Sequence, residues 1–299
     1  MTRRYLWGII VLLLITNLTT VAVWNNEKDV GVDEDLDITV EKDSPVATIG
    51  KQEIEYDAWM RTLKTEYGRE VLKEMIDKAV VFELAEEKEI EINQKLIDRE
   101  LALLYTMQGV LSETEIEERK TEWTEEIKYR LYLEELLTES ISVSDQAIQE
   151  YYADHEGQYE FIESFQFSHA VLNDEATAER FLEELDQGAS FSTLAREFSV
   201  DEETRDDGGY LGYYTDNSDY IPAEYFDVAK QLQENSVSDP IYVGNNVAIL
   251  YVHRVIPDVS FSFDELKPHL RRELALEQID EIISADPLWN KLQVDWLYD

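Results

Sequence analysis

The sequence predicts an α+β fold preceded by a transmembrane helix. Apolar residues recur at helical spacing from Tyr56 to about Glu139. Between Phe165 and Val255, strand-like apolar runs alternate with helical segments, and such strands are expected to meet in one antiparallel sheet. A third observation is an apolar stretch of 20 residues close to the N-terminus, which predicts the membrane helix.

The N-terminal stretch is predicted to be a retained membrane anchor over residues 1–24. Arg3 and Arg4 precede Tyr5–Trp24, which at about 1.5 Å per residue covers ~30 Å of hydrocarbon. A cleaved secretory signal is the alternative, but the stretch is long for a signal and Val21–Trp24 ends in a bulky ring where a small residue would be needed. Basic residues that flank a membrane helix stay on the cytoplasmic side, so Arg3 and Arg4 place the N-terminus there. The bulk of the chain is therefore expected to be extracytoplasmic, on a single-pass cell-membrane protein.

Charge and cysteine content exclude several classes of function. The chain has 26 basic and 66 acidic residues, a net charge of −40, so nucleic acid is not expected as a partner. Solubility explains the acidic surface, and attraction for basic clients or cations is the alternative. With no cysteine and four scattered histidines, the sequence has no metal-ligand spacing, and no cofactor is expected. Residues 25–43 carry eight acidic and two basic residues, which predicts a solvated tether.

Residues 44–160 are predicted to form a mostly helical module. Val46–Gly50 is a short β-prone run closed by glycine. Four helices are expected between Tyr56 and Glu139, and Ser144 can cap a fifth over Asp145–Glu156.

Residues 161–256 are predicted to form a separate domain that contains the sheet. Its expected elements, in chain order, are a strand, three helices and a strand: Phe165–Leu172, Asp174–Gln187, Ser192–Phe198, Ala223–Gln233 and Val247–Val255. Glycines at 208, 209 and 212 permit a turn that other residues would not adopt.

Residues 257–299 are predicted to complete the helical module. Ser262 and Glu265 form a capping box ahead of a helix over about Phe263–Ile283, and Asp286 begins a further turn of helix. Apolar side chains alternate over residues 294–298, which is typical of a half-buried strand. Its plainest partner is the run at 46–49, so the sheet domain would be inserted between the two parts of one module.

The order of short motifs in the middle domain resembles the parvulin family of peptidyl-prolyl isomerases over about residues 161–256. These motifs are Ser168–Leu172, Gly188–Ala195, Ser199–Asp201, Gly208–Gly212 and Val237–Pro240. The helical module resembles extracytoplasmic foldases of the PrsA and SurA type. Among these, the whole chain is most similar to the membrane-bound parvulin-like proteins of Bacillus relatives.

The resemblance implies which residues form the site. His169 stands at the first of the family's two histidines, and Asp201 stands where the family has cysteine or aspartate. Both are therefore implied to be catalytic. Leu211, Ile221 and Tyr225 match the apolar cup for the proline ring, with Ile221 at a usual methionine and Tyr225 at a usual phenylalanine.

The chain departs from the family on its last strand. The second histidine falls on Ala248, and Val243 replaces a usual threonine. Val243, Asn245 and Ala248 are implied to line the substrate site, and Asn245 or Tyr213 could serve as the missing partner of His169. An offset of five residues along a strand should turn His253 to the opposite face. The remaining histidines, at 155 and 269, are expected on helix surfaces.

The resemblance implies a membrane-anchored foldase that binds unfolded or partly folded secreted polypeptides and isomerises their prolyl bonds. Two alternatives stay open. The loss of the second histidine at Ala248 favours a weak or inactive parvulin-fold holdase, and the helical module would also suit an assembly factor with one fixed partner. The sequence leaves both a monomer and a homodimer open.

Overall fold

The computed structural model describes residues 32–33, 38–39, 42, 44–280 and 282–298. The predicted anchor over residues 1–24 lies outside this range, as does most of the tether. The described parts of the tether, β1 (Val32–Asp33) and β2 (Ile38–Thr39), pair in antiparallel fashion. Among the helices of the described part, none has the length and apolar character needed to cross a bilayer.

The described residues form both helices and antiparallel sheets, so the predicted α+β class is confirmed. The helices are α1 Tyr56–Glu66, α2 Gly68–Glu87, α3 Gln94–Thr106, α4 Glu113–Thr138, α5 Asp145–His155, α6 Glu175–Asp186, α7 Phe191–Phe198, α8 Ala223–Ala229, α9 Phe263–Leu276 and α10 Asp286–Leu292. The remaining strands are β3 Pro45–Ile49, β4 Gln52–Glu55, β5 Ser164–Leu172, β6 Tyr210–Thr215, β7 Ser236–Val237, β8 Ile241–Val243 and β9 Asn246–Ile256.

The described residues divide into two compact units: one holds those up to residue 79 together with those from residue 293, and the other holds those between 80 and 292. In the first unit the predicted pairing of residues 294–298 with 46–49 is wrong. Strand β3 pairs instead with its neighbour β4 through a tight turn, with Ile49 opposite Gln52. A local hairpin needs no long loop closure, and Gly50 supplies the positive φ of +65° that this turn requires.

The C-terminal tail nevertheless contacts the N-terminal helices of its own unit. Residues 294–298 form no strand. The Tyr298 hydroxyl donates to the Lys64 carbonyl at 3.3 Å, and the Arg69 guanidinium lies 5.4 Å from the centroid of the Trp296 ring. Aromatic and cation–π contacts therefore hold the tail where backbone pairing was expected.

In the second unit, helix α9 packs against helices that precede the sheet domain in the chain. A buried cluster joins α3, α5 and α9 through Leu96, Ile148, Tyr159, Leu266 and Leu270. Helix α9 ends at Leu276, earlier than the Ile283 predicted, because the bonds from Gln278 to Ala275 and from Ile279 to Leu276 close it with i to i−3 turns.

His269 is buried, so its predicted place on a helix surface is wrong. It follows Leu266 by three residues and precedes Leu270 by one, so it lies on the buried face of α9 that these two leucines form. Its Nδ1 is 2.6 Å from Arg272 Nη2, and its Nε2 is 3.2 Å from Glu273 Oε1. Arg272 in turn lies 3.1 Å from Glu134 of α4, so the histidine belongs to a buried polar network that ties α9 to that helix.

The sheet of the second unit has the order β6-β5-β9-β7, and β8 pairs with the other end of β9. Both of its faces are covered. Phe165 and Phe167 of β5 face a cluster that includes α8, whereas Ala170 and Leu172 face a cluster with α6 and α7. Alternation along β5 therefore places His169 on the α8 side.

Candidate active site

His169 occupies the centre of a hydrogen-bonded network on the α8 face of the sheet. Its Nε2 lies 2.9 Å from Asp201 Oδ2 and 3.0 Å from Thr204 Oγ1. Its Nδ1 lies 2.9 Å from the Tyr225 hydroxyl. Both ring nitrogens therefore have partners, and His169 as a whole residue is only 8% exposed.

Burial and hydrogen bonding set the charges of this network. Burial lowers the pKa of His169 more than the Asp201 hydrogen bond and charge raise it, so the imidazole is neutral near pH 7. Burial raises the pKa of Asp201, but hydrogen bonds from Thr204 and His169 outweigh it and hold that pKa below its usual value. The pair is a neutral imidazole beside an ionised carboxylate, not an ion pair.

The loop after α7 holds Asp201 in position. The Oγ of Ser199, a buried residue, accepts from the backbone N–H groups of Val171 at 3.2 Å and Asp201 at 3.3 Å. Thr204 Oγ1 donates to Asp201 Oδ2 at 2.5 Å. The carboxylate is therefore fixed both through its backbone and through its side chain. Its side chain keeps 25% of its surface exposed, against 11% for that of His169, so Asp201 is the more accessible member.

Gly209 brings the glycine-rich turn directly against His169. Its carbonyl accepts the His169 N–H at 2.8 Å, and its own N–H donates to the Thr204 carbonyl at 2.9 Å. The φ of Gly209 is +80°, and a Cβ there would lie 2.0 Å from the His169 carbonyl oxygen. Only glycine fits this contact. The register between β5 and β6 then shifts around Leu211, as in a β-bulge.

The implied cup residues meet in one apolar cluster beneath this network. Ile221, Tyr225 and Ala248 are buried members, and Leu211 and Val243 are partly buried against them. We call these five residues the apolar floor. Tyr225 is 1% exposed and Ala248 is 0% exposed, so these two side chains form the base of the floor and are shielded from solvent.

Two residues suggested as partners of His169 lie elsewhere. Asn245 is exposed in the turn between β8 and β9, because Val243 and Asn246 close that hairpin around it. Tyr213 packs against a different cluster with Phe161 and Ile256. The network instead uses Tyr225, which the sequence assigned to the cup, and Thr204, which sequence reasoning missed. The one available signal for Thr204 was a hydroxyl three residues after Asp201.

His253 lies on the opposite face, as the strand alternation predicts. Its Nε2 is 2.8 Å from Ser168 Oγ, and Ser168 precedes His169 on β5. Burial lowers the pKa of His253 to about 4. This histidine is therefore neutral and separate from the His169 network.

The arrangement provides a fixed negative charge beside an apolar surface. His169, Thr204 and Ser199 hold the Asp201 carboxylate without neutralising it, and the apolar floor excludes water from one side. Such a site suits binding and polarisation of a neutral, partly apolar group.

Known proteins that match this chain are named as peptidyl-prolyl isomerases or foldases. A family model described as "PPIC-type PPIASE domain" matches residues 143–268. The putative peptidyl-prolyl cis-trans isomerase YacD of Bacillus subtilis is 33% identical over 299 residues, covering 100% of this chain and 98% of that protein. The foldase protein PrsA of Halalkalibacterium halodurans is 28% identical over 245 residues, covering 78% of this chain and 70% of that protein.

Solved structures also align along the chain. The crystal structure of PrsA from Bacillus subtilis covers 86% of this chain and 96% of its own, at 22% identity and a TM-score of 0.31.

Proposed function

Since this chain belongs to the parvulin-type peptidyl-prolyl cis-trans isomerases of the PrsA and SurA kind, we propose that it is a membrane-anchored, extracytoplasmic foldase for secreted polypeptides. The relatives that match it include proteins named as foldases. The observation that carries the proposal is the 2.9 Å pairing of neutral His169 with ionised Asp201 beside the apolar floor.

Prolyl isomerisation requires rotation about the peptide C–N bond and breaks no covalent bond. The barrier of ~18–20 kcal/mol comes from amide resonance, and the planar amide is more polar than the twisted one. A dry apolar surface against the proline ring therefore destabilises the planar form relative to the transition state. Leu211 and Val243, the partly buried members of the apolar floor, supply the accessible part of that surface. A gain of about 5.5 kcal/mol would shorten a step of tens of seconds to milliseconds.

The polar network complements the apolar surface at the opposite side of the prolyl bond. Asp201, as its more exposed member, is placed to contact the client. A fixed carboxylate repels the partial negative charge of the planar carbonyl oxygen and favours its rotation away. His169 acts as a second contact and holds the carboxylate through Nε2.

The proposed location rests on the sequence. Arg3 and Arg4 precede 20 membrane-compatible residues, and a charge of this sign stays on the inner side. The full-length protein should remain with membranes after a carbonate wash, and external protease should reach the folded body. Recovery of a soluble form that begins near Asn25 would contradict the retained anchor.

The catalytic proposal is tested by refolding a secreted client whose slow phase is limited by prolyl isomerisation. Substoichiometric full-length protein should accelerate the slow phase, and Asp201→Asn should remove most of that acceleration. An unchanged slow phase would refute the catalytic role.

A holdase is the second candidate, and the observation that favours it is the alanine at position 248, where an imidazole pair would otherwise complete the site. A holdase would suppress client aggregation only at stoichiometric amounts and would leave the slow phase untouched. The same refolding experiment, run at two ratios of protein to client, therefore separates the two candidates.

A further inference from the structure

The Tyr225 hydroxyl has a specific place in the fold. Tyr225 is 1% exposed, and a buried hydroxyl needs a hydrogen-bond partner. Its partner in the described part of the chain is His169 Nδ1, at 2.9 Å. The two rings meet edge to face, with centroids 5.8 Å apart. Helix α8 therefore contributes a polar contact as well as apolar packing.

The chemistry of the three groups fixes the direction of their hydrogen bonds. The ionised Asp201 carboxylate can only accept, so the proton of the neutral imidazole is on Nε2 and points toward Asp201. Nδ1 is then a lone pair and must accept. Burial raises the pKa of Tyr225, so its hydroxyl keeps its proton and donates to Nδ1.

We infer that Tyr225 is the positioning residue of this site: its hydroxyl holds His169 in one tautomer and one orientation, and His169 in turn orients the Asp201 carboxylate. This inference deepens the proposed function and rests on it. Tyr225 itself lies below the surface that a client contacts, and it acts through His169.

The small side chain of Ala248 is what allows Tyr225 to reach His169. It is 0% exposed in the cluster that contains Tyr225. On β9 it lies two residues from Leu250, which is the direct pairing partner of His169, so positions 248 and 169 are diagonal neighbours on one face. A small side chain at 248 leaves room that the tyrosine occupies. An imidazole at 248 would compete with Tyr225 for that room.

The tautomer is tested on the full-length protein by 15N NMR of the His169 imidazole, with assignment by His169→Gln. Wild type should show a protonated Nε2 and an unprotonated, hydrogen-bonded Nδ1. Tyr225→Phe should abolish the hydrogen-bond shift at Nδ1 and lower kcat by about 10-fold with KM little changed. Tyr214→Phe removes a hydroxyl from a tyrosine packed against the same cluster, and it should change neither readout.

An exchange of partners tests the role of Ala248. Ala248→His alone should lower kcat/KM and stability, because the buried site has no free room. Ala248→His combined with Tyr225→Phe should recover kcat/KM to within about 3-fold of wild type. A double variant no better than the worse single one would overturn the shared-space part of the inference.

The positioning role itself is overturned if Tyr225→Phe leaves the Nδ1 shift and kcat unchanged, or if wild type carries its proton on Nδ1. Because the NMR readout does not depend on turnover, an inactive wild type with the expected tautomer would contradict the proposed function and leave the hydrogen-bond assignment standing.

Discussion

Gly209→Ala should be far more destabilising than an ordinary glycine substitution, because the new Cβ would meet the backbone of the central strand. It would lie 2.0 Å from the His169 carbonyl oxygen, 3.0 Å from the carbonyl carbon and 3.2 Å from the Ala195 Cβ. Non-bonded heavy atoms prefer about 3.5 Å or more, so the two strands must separate by roughly 1.5 Å. Such a movement would break the 2.8 Å bond from the His169 N–H to the Gly209 carbonyl.

The expected loss has three parts. An alanine in left-handed backbone costs about 1–2 kcal/mol, overpacking costs about 1–3 kcal/mol, and a lost ladder bond costs about 0.5–1.5 kcal/mol. The total is about 2.5–6.5 kcal/mol. Gly244→Ala is the matched control, because Gly244 has a φ of +62° and nothing within 4 Å of its Cβ position, so only the backbone cost of about 1–2 kcal/mol remains.

Urea unfolding of both variants measures the difference, and a proline-peptide assay measures its effect on the site. Gly209→Ala should be at least about 1.5 kcal/mol less stable than Gly244→Ala, and its isomerase activity should fall because His169 is displaced. Equal stabilities would show that the turn neither presses on β5 nor positions His169.

Two further substitutions test how buried polar groups affect the stability of the fold. In the folded protein the pKa of His253 is about 4, against an ordinary value of about 6.5. Below pH 6.5 the unfolded chain therefore binds a proton at this residue that the folded chain does not bind. This difference lowers the free energy of unfolding by about 2 kcal/mol at pH 5. His253→Gln should remove that part of the acid destabilisation, measured as the change in unfolding free energy between pH 8 and pH 5; an unaltered pH slope would refute it. Arg272→Ala should cost about 3–5 kcal/mol in urea unfolding, because Arg272 is 3% exposed and lies 3.1 Å from Glu134. The exposed pair of Lys230 and Asp216 is the control, and Lys230→Ala should change stability little; similar losses for both would contradict the burial argument.

Local patterns in the sequence predict most elements of the second unit. Strand β5 and helices α6 and α7 begin and end within one or two residues of the predicted positions, because each has its own periodicity and the two helices also have their own N-caps. Long-range pairing was harder to predict. Residues 294–298 alternate like a strand, but alternation does not identify a partner, and β3 found a closer partner in β4.

The site shows the same division. Motif order placed His169 and Asp201, and the structure brings them to 2.9 Å. The partners of His169 depend on which side chains converge from α8 and from the loop after α7, and spacing along the chain carries no such information. A tyrosine at a position implied for apolar packing is therefore also a hydrogen-bond partner of His169.

The most direct test of the central claim is exchange NMR on a short proline peptide with full-length protein. Wild type should accelerate cis–trans exchange well beyond the uncatalysed rate of one event in tens of seconds. Asp201→Asn should lower kcat/KM by about 10-fold or more while the unfolding curve stays close to that of wild type. No acceleration by wild type, or equal rates for wild type and Asp201→Asn, would contradict the assignment of this site as a prolyl isomerase centre.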